Sequence, residues 1–309
     1  MTTLILHHDD CLRHTAGLRH VERPERVNAV LGAVDILPGT EVLPAPRASE
    51  AQLMAAHAAD YWLRIVDLEP GTEDEERIIA LDADTFLSPG SVDATLRGSG
   101  AACFAIDQIA AGRARNAFCA VRPPGHHAEQ STAMGFCLLN HVAVAAHHAI
   151  ASGAAERVAI VDFDVHHGNG TQSIFESTPD VLFVSSHQIP LYPGTGHRGE
   201  TGCGNVLNLP LSPGDGSETF RSAWREYGLA RVADFRPDLV LVSAGFDAHE
   251  RDPLGQLRLQ DDDYFWITAE LREIAERFCG GRIVSLLEGG YDLEALATAA
   301  AAHVGALSA

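Results

Sequence analysis

The residues most able to do chemistry lie in the run Asp162-Phe163-Asp164-Val165-His166. Alternate residues of a strand share a side, so Asp162, Asp164 and His166 face one way while the strand persists. Two carboxylates and an imidazole at a buried strand end are costly unless paired or metal-bound. Asp247, in GFDAH, stands at another expected strand end and supplies a further donor. Asp164, His166 and Asp247 with open positions left over fit a catalytic metal site rather than a structural one. The set suits Zn²⁺, and its oxygen-rich character keeps Fe²⁺ possible. A hydrogen-bonded Asp/His network without metal is the other reading.

Two more segments join this group. His126 and His127 follow Pro123 and Pro124, which stiffen the chain before them. Histidine takes and returns a proton near neutral pH, as a metal-activated water requires. Asp162 and Asn169 are natural partners to fix the two tautomers. Tyr291 follows Gly289 and Gly290, and a phenol held there could donate to an oxyanion.

These residues need a scaffold that brings strand ends together. Apolar runs at 117–121, 157–163, 181–186, 238–244 and 282–288 read as strands. Residues 138–152, 218–234, 263–279 and 293–307 read as helices between or after them, and 24–37, 49–68 and 91–112 as helices before. Strands apolar on both faces and separated by helices predict an α/β protein with a mostly parallel sheet covered on both sides. In such sheets, sites form beyond the carboxyl ends of the strands. Every one of the five runs ends in His, Asp or Tyr or leads directly into them. No linker or repeat interrupts the chain, so a single domain over 1–309 is expected. The stretch 67–76 reads as a solvated acidic loop, and Asp261, Asp262 and Asp263 as the cap of the helix after them.

Composition narrows the function. The chain has 309 residues, 46% hydrophobic and 21% charged, which excludes intrinsic disorder. Net charge is −20, which argues against nucleic acid as a partner. All 22 cationic residues are Arg, so lysine chemistry of every kind is excluded. Six cysteines without a C-x-x-C pair predict neither a disulfide framework nor a zinc ribbon. The opening MTTLILHHDD predicts no signal peptide, and no apolar run suffices for a membrane span. A reduced, cytoplasmic enzyme is the expectation, with a homo-oligomer left open.

The motifs RPPGHHAE, GFC (135–137), DFDVHHGNGTQ, PGTG (193–196), SAGFDAH and LEGGYD, in this order, resemble the histone deacetylase superfamily of metal-dependent amidohydrolases. The resemblance covers about residues 20–300. The spacing from Glu129 to Phe136, with Asn169, is most similar to class II deacetylases and bacterial deacetylase-like amidohydrolases. It implies an arginase-like single domain with a central eight-stranded parallel sheet. It also implies Zn²⁺ on Asp164, His166 and Asp247, and His127 as general base and then general acid. His126 would act mainly electrostatically, backed by Asp162, and Tyr291 would donate to the substrate carbonyl and the oxyanion. The Gly135 carbonyl would orient the substrate amide, and Phe136 and Tyr192 would wall a narrow tunnel. An inner K⁺ or Na⁺ site is implied around Asp162, Asp164, His166, Ser185 and Ser186. A second, weaker one would use backbone carbonyls of Phe175, Thr178 and Val181.

Two positions depart from common family patterns. Asn169 stands where class I enzymes carry Asp, which predicts a lower pKa for His127. Leu254 stands where polyamine-specialised relatives place an acidic residue, which favours acyl-lysine over a cationic polyamine. The resemblance therefore implies removal of acetyl or other acyl groups from N-acetyl-lysine side chains by metal-activated water. The alternatives are an acetylpolyamine or other small N-acylamine as substrate, and a non-catalytic acyl-ligand binding module. His14, His20 and Asp84 are candidates for the rim of the site.

Overall fold

The computed structural model describes residues 2–17, 19–74 and 76–309. Glu75, in the acidic loop expected at 67–76, lies outside the described residues. Strands β1 (Thr3–His7), β2 (Thr40–Pro44), β5 (Asn116–Cys119), β6 (Val158–Asp162), β7 (Val181–Gln188), β8 (Val206–Leu211), β9 (Leu239–Ala244) and β10 (Ile283–Leu287) form one sheet. Its order is β2-β1-β5-β10-β9-β6-β7-β8, and every pairing is parallel. The short strands β3 (Ile79–Ala80) and β4 (Phe86–Leu87) make a separate antiparallel pair. The expected parallel α/β architecture is the one observed.

The five apolar runs all become strands, because each is buried on both faces. In β6 all five residues of VAIVD are buried. Helices cover both sides. One face carries α2 (Glu50–Leu53), α3 (Ala59–Leu68), α4 (Ser91–Ala110), α5 (His141–Ala151) and α6 (Asn169–Phe175). The other carries α1 (Glu25–Val34), α7 (Ser217–Ala223), α8 (Leu229–Phe235), α9 (Asp261–Cys279) and α10 (Leu293–Ser308). Their apolar stripes, rich in Ala and Val, close on the sheet as two core clusters.

Several elements differ from the sequence expectation. The helix read over 49–68 is two helices, α2 and α3. The break seats His57, whose Nε2 accepts from the Asn140 N–H (2.8 Å) and whose Nδ1 bonds the Glu129 carbonyl (3.0 Å). The helix read over 218–234 widens to a π turn at Trp224–Gly228, where the buried indole donates to Ser186 Oγ at 3.0 Å. Strands β1, β2 and β8 and helix α6 carry too short or too mixed an apolar pattern to stand out in sequence. The cap of α9 forms through Asp263, which accepts from the Gln260 N–H at 3.0 Å.

Candidate active site

Strand β6 stops at Asp162, and Asp164 to His166 turn beyond it. The expected alternation therefore does not set these side chains; local hydrogen bonds do. Asp162 Oδ1 accepts from the Asp164 N–H (3.1 Å), Asp164 Oδ1 from the His166 N–H (2.9 Å), and Asp247 Oδ1 from the Val165 N–H (2.8 Å). Asp162 turns to His126 instead of joining its neighbours. Asp164, His166 and Asp247 converge, each offering one ligand atom within 4.8 Å of the others. His166 Nδ1 lies 3.0 Å from Asp164 Oδ1 and 3.1 Å from Asp247 Oδ2.

That donor set fits a divalent ion. Ligand atoms about 3 Å apart match a cation held at roughly 2.0–2.2 Å by N and O donors. Burial pulls the His166 pKa down, but the two carboxylates outweigh it and push it up to about 10. Burial, then Asp164, lifts Asp247 to about 7. Two buried carboxylates thus call for a positive charge between them, which a metal supplies without a proton. Glycine at 289 is required here: a Cβ would run into the carboxylates of both Asp247 and Asp164.

The histidine pair is held from below. Glu288 Oε2 accepts from the N–H groups of Gly125 (2.6 Å) and His126 (3.1 Å). Asn140 caps α5 by accepting from the Ala143 N–H, and donates to the Ala128 carbonyl at 3.2 Å. His126 Nδ1 meets Asp162 Oδ2 at 2.9 Å; His127 Nδ1 meets Asn169 Oδ1 at 2.8 Å. The two rings consequently diverge in charge. Burial opposes protonation of His126, but Asp162 and Asp164 raise it to about 10. Burial, followed by the charge on His126 and His166, holds His127 well below the ordinary histidine value.

These groups open on one cavity of ≈ 250 Å³, lined by His126, His127, His166, Gly135, Phe136, Tyr192, Leu254 and Tyr291, with Asp84 among its lining residues. The His127 and Tyr192 rings meet edge-on at 5.2 Å. Phe136 meets Tyr291 edge-on at 5.9 Å. Burial keeps the Tyr291 phenol protonated, and the Arg26 guanidinium lies 4.8 Å over its ring. Cys137 Sγ donates to the Gly135 carbonyl at 3.2 Å.

The rim candidates separate. Asp84 lines the cavity, and its pKa is raised by burial and then by Asp82. His20 backs Phe136, ring to ring at 4.7 Å. His14 is not at the rim; it is buried against Ser91 Oγ at 2.7 Å. Ser185 pairs in register with Asp162, and its hydroxyl bonds His187 Nδ1 at 2.8 Å. Ser186 Oγ takes the Trp224 N–H. The carbonyls of Phe175, Thr178 and Val181 also converge, but the Asn205 amide nitrogen lies among them.

Sequence reasoning missed the groups behind the site. Glu22 receives Arg122 through two hydrogen bonds (2.7 and 2.6 Å) and Arg26 at 3.2 Å, all fully buried. Arg26 also donates to the Gly290 and Glu288 carbonyls, fixing the turn that presents Tyr291. Arg122 and Glu288 sit inside quoted motifs, which was a usable signal. Glu22 and Arg26 lie in no quoted motif and gave none.

Fold and site together define a parallel α/β hydrolase with a three-ligand candidate metal centre, a histidine pair and a buried phenol around one cavity. Residues 20–307 match the histone deacetylase domain family. A histone deacetylase-like amidohydrolase of Pseudomonas aeruginosa is 39% identical over 89% of this chain and 73% of its own. The type-2 histone deacetylase 2 of Dictyostelium discoideum is 34% identical over 94% of this chain, which spans only 20% of that protein's length. The crystal structure of the HDA15 HD domain superposes with a TM-score of 0.90 at 34% identity, over 99% of this chain and 89% of that one. The chain belongs to the histone deacetylase family. Among the described residues no helix is long and apolar enough to cross a membrane.

Proposed function

We propose that this chain is a single-domain, Zn²⁺- or Fe²⁺-dependent amidohydrolase that removes acetyl groups from N-acetyl-lysine side chains. The observation that carries this reading is the convergence of Asp164, His166 and Asp247 beside one cavity that His126, His127, His166 and Tyr291 line together. A divalent ion on the three ligands would supply Lewis acidity to a water and to the amide carbonyl.

The protein's own groups do the rest. With Nδ1–H donated to Asn169 Oδ1, neutral His127 keeps Nε2 free to take the proton of the attacking water. His126, charged beside Asp162, places positive potential where negative charge develops. Tyr291, kept protonated by burial, donates to the carbonyl oxygen as it becomes an anion. When the C–N bond breaks, His127 hands its proton to the departing amine, leaving acetate and free amine. The aromatic walls Phe136 and Tyr192 suit a linear alkyl chain, and Leu254 adds an apolar lining residue.

One observation favours a second reading. Asp84 at the cavity, with Asp82 next to it, is a cation-attracting feature that a small acetylated polyamine would also use. A comparison of kcat/KM for an acetyl-lysine peptide and for N-acetylputrescine, on enzyme stripped by chelator and refilled with Zn²⁺, separates the two. A peptide preference of about tenfold, roughly 1.4 kcal/mol, supports the lysine reading; the reverse preference replaces it. Activity on neither substrate would leave the binding-module reading. Six free cysteines, five of them buried, support a reducing cytoplasmic setting.

A further inference from the structure

The carbonyls of Phe175, Thr178 and Val181 point at one spot between the end of α6 and the start of β7. Their other hydrogen bonds are local: Phe175 O accepts from the Thr178 N–H (2.8 Å), and Thr178 O from the Val181 N–H (3.1 Å). The lone pairs left over face inward, an arrangement that holds a dehydrated monovalent cation when carbonyl oxygens replace its water. Here that spot is filled by protein. Asn205 Nδ2 donates to Phe175 O at 2.7 Å, Thr178 O at 3.0 Å and Val181 O at 2.8 Å. These are ordinary N–H···O distances, with two hydrogens shared among three acceptors.

The amide cannot be turned the other way. Its Oδ1 accepts from the Cys203 N–H at 3.2 Å, so a flip would aim oxygen at three carbonyls and nitrogen at a donor. The surrounding turn is built for this orientation. Gly202 has φ +55°, and a Cβ there would stand 2.6 Å from Asn205 Oδ1 and 2.7 Å from Glu176 O. Asn205 is 4% exposed, and its own carbonyl accepts from the Phe183 N–H at 2.9 Å, which anchors it to β7.

We propose that Asn205 replaces the ion at this position. The chain takes no monovalent cation there, and the amide ties α6 to β7 instead. The residues implied for a second cation site therefore do not fit one. Helix α6 begins with Asn169, the partner of His127, and ends at Phe175, whose carbonyl Asn205 holds.

The test is a Tl⁺ soak of crystals of the full chain and of its Asn205→Ser variant, whose hydroxyl cannot span the three carbonyls. Thallium density is expected among these carbonyls in the variant and not in the parent. In solution, the melting temperature of the variant should rise with K⁺ substituted for choline at constant ionic strength, by more than that of the parent. Thallium coordinated by the three carbonyls in the parent, with Asn205 displaced, would overturn the proposal. So would density in neither crystal, because the amide would then be doing no ion's work. Should Asn205→Ser fail to fold, the parent crystal alone still decides whether the spot accepts a cation.

Discussion

Replacing Asn169 by Asp probes how the neutral state of His127 is kept. A carboxylate in contact with Nδ1, now 2.8 Å from Asn169 Oδ1, would stabilise the imidazolium and raise its pKa by about 1–3 units. That is about 1.4–4 kcal/mol. The structure opposes this gain. Asn169 Nδ2 donates to Glu129 Oε1 at 3.0 Å, so the new second oxygen would face a carboxylate instead. Two unit charges at that distance repel by about 5 kcal/mol at an effective dielectric of ~20, before screening at half-buried Glu129. The repulsion matches or exceeds the gain. Asn169→Asp alone should therefore move the acidic limb of the kcat/KM–pH profile up by less than about one unit. The double variant Asn169→Asp/Glu129→Gln restores a donor and should move it up by about 1–3 units. The sign follows from the role: a base must be neutral, so a higher pKa shifts the limb to higher pH. Measurement on the metal-loaded enzyme with an acetyl-lysine peptide, with Glu129→Gln as control, decides it. A limb that stays put or moves down in the double variant refutes the role given to His127.

Three further variants carry expected outcomes. Glu22→Gln leaves two buried guanidinium groups undercompensated and should cost about 3–5 kcal/mol in urea unfolding. Glu22 itself, opposed by burial but lowered to about 2 by Arg122, lends stability that is full above its unfolded pKa of 4.5. That contribution, about 3 kcal/mol, is lost as pH falls towards 2 and should be absent from the acid unfolding curve of the variant. Gly289→Ala drives a methyl against Asp164 and Asp247; bound divalent metal, counted by elemental analysis, should vanish while far-ultraviolet circular dichroism persists. Leu254→Glu should shift the kcat/KM ratio towards N-acetylputrescine by about tenfold, roughly 1.4 kcal/mol; an unchanged ratio would remove Leu254 from specificity.

Much of this protein is legible in its sequence, for a local reason. The central strands are apolar on both faces because both faces are covered, and the chemistry-bearing residues follow directly from their carboxyl ends. Residue type and order therefore pointed to the parallel sheet, to Asp164, His166 and Asp247 as a group, and to Asp162 and Asn169 as partners of the histidine pair, while the resemblance implied which histidine each one meets. What the sequence could not carry was direction and company. Asp162, Asp164 and His166 look equivalent by alternation, yet the chain turns after Asp162, and hydrogen bonds from Val165, His166 and Gly289 aim the carboxylates. Nothing in the sequence marks Glu22 and Arg26 until Arg122, 100 residues from Glu22, closes over them. Asn205 looks like a loop residue until three carbonyls from another segment converge on its amide. Periodicity and motif order record what each segment buries and what it carries. Which charges and carbonyls meet is decided by packing between segments distant in the chain, and only the tertiary structure holds that.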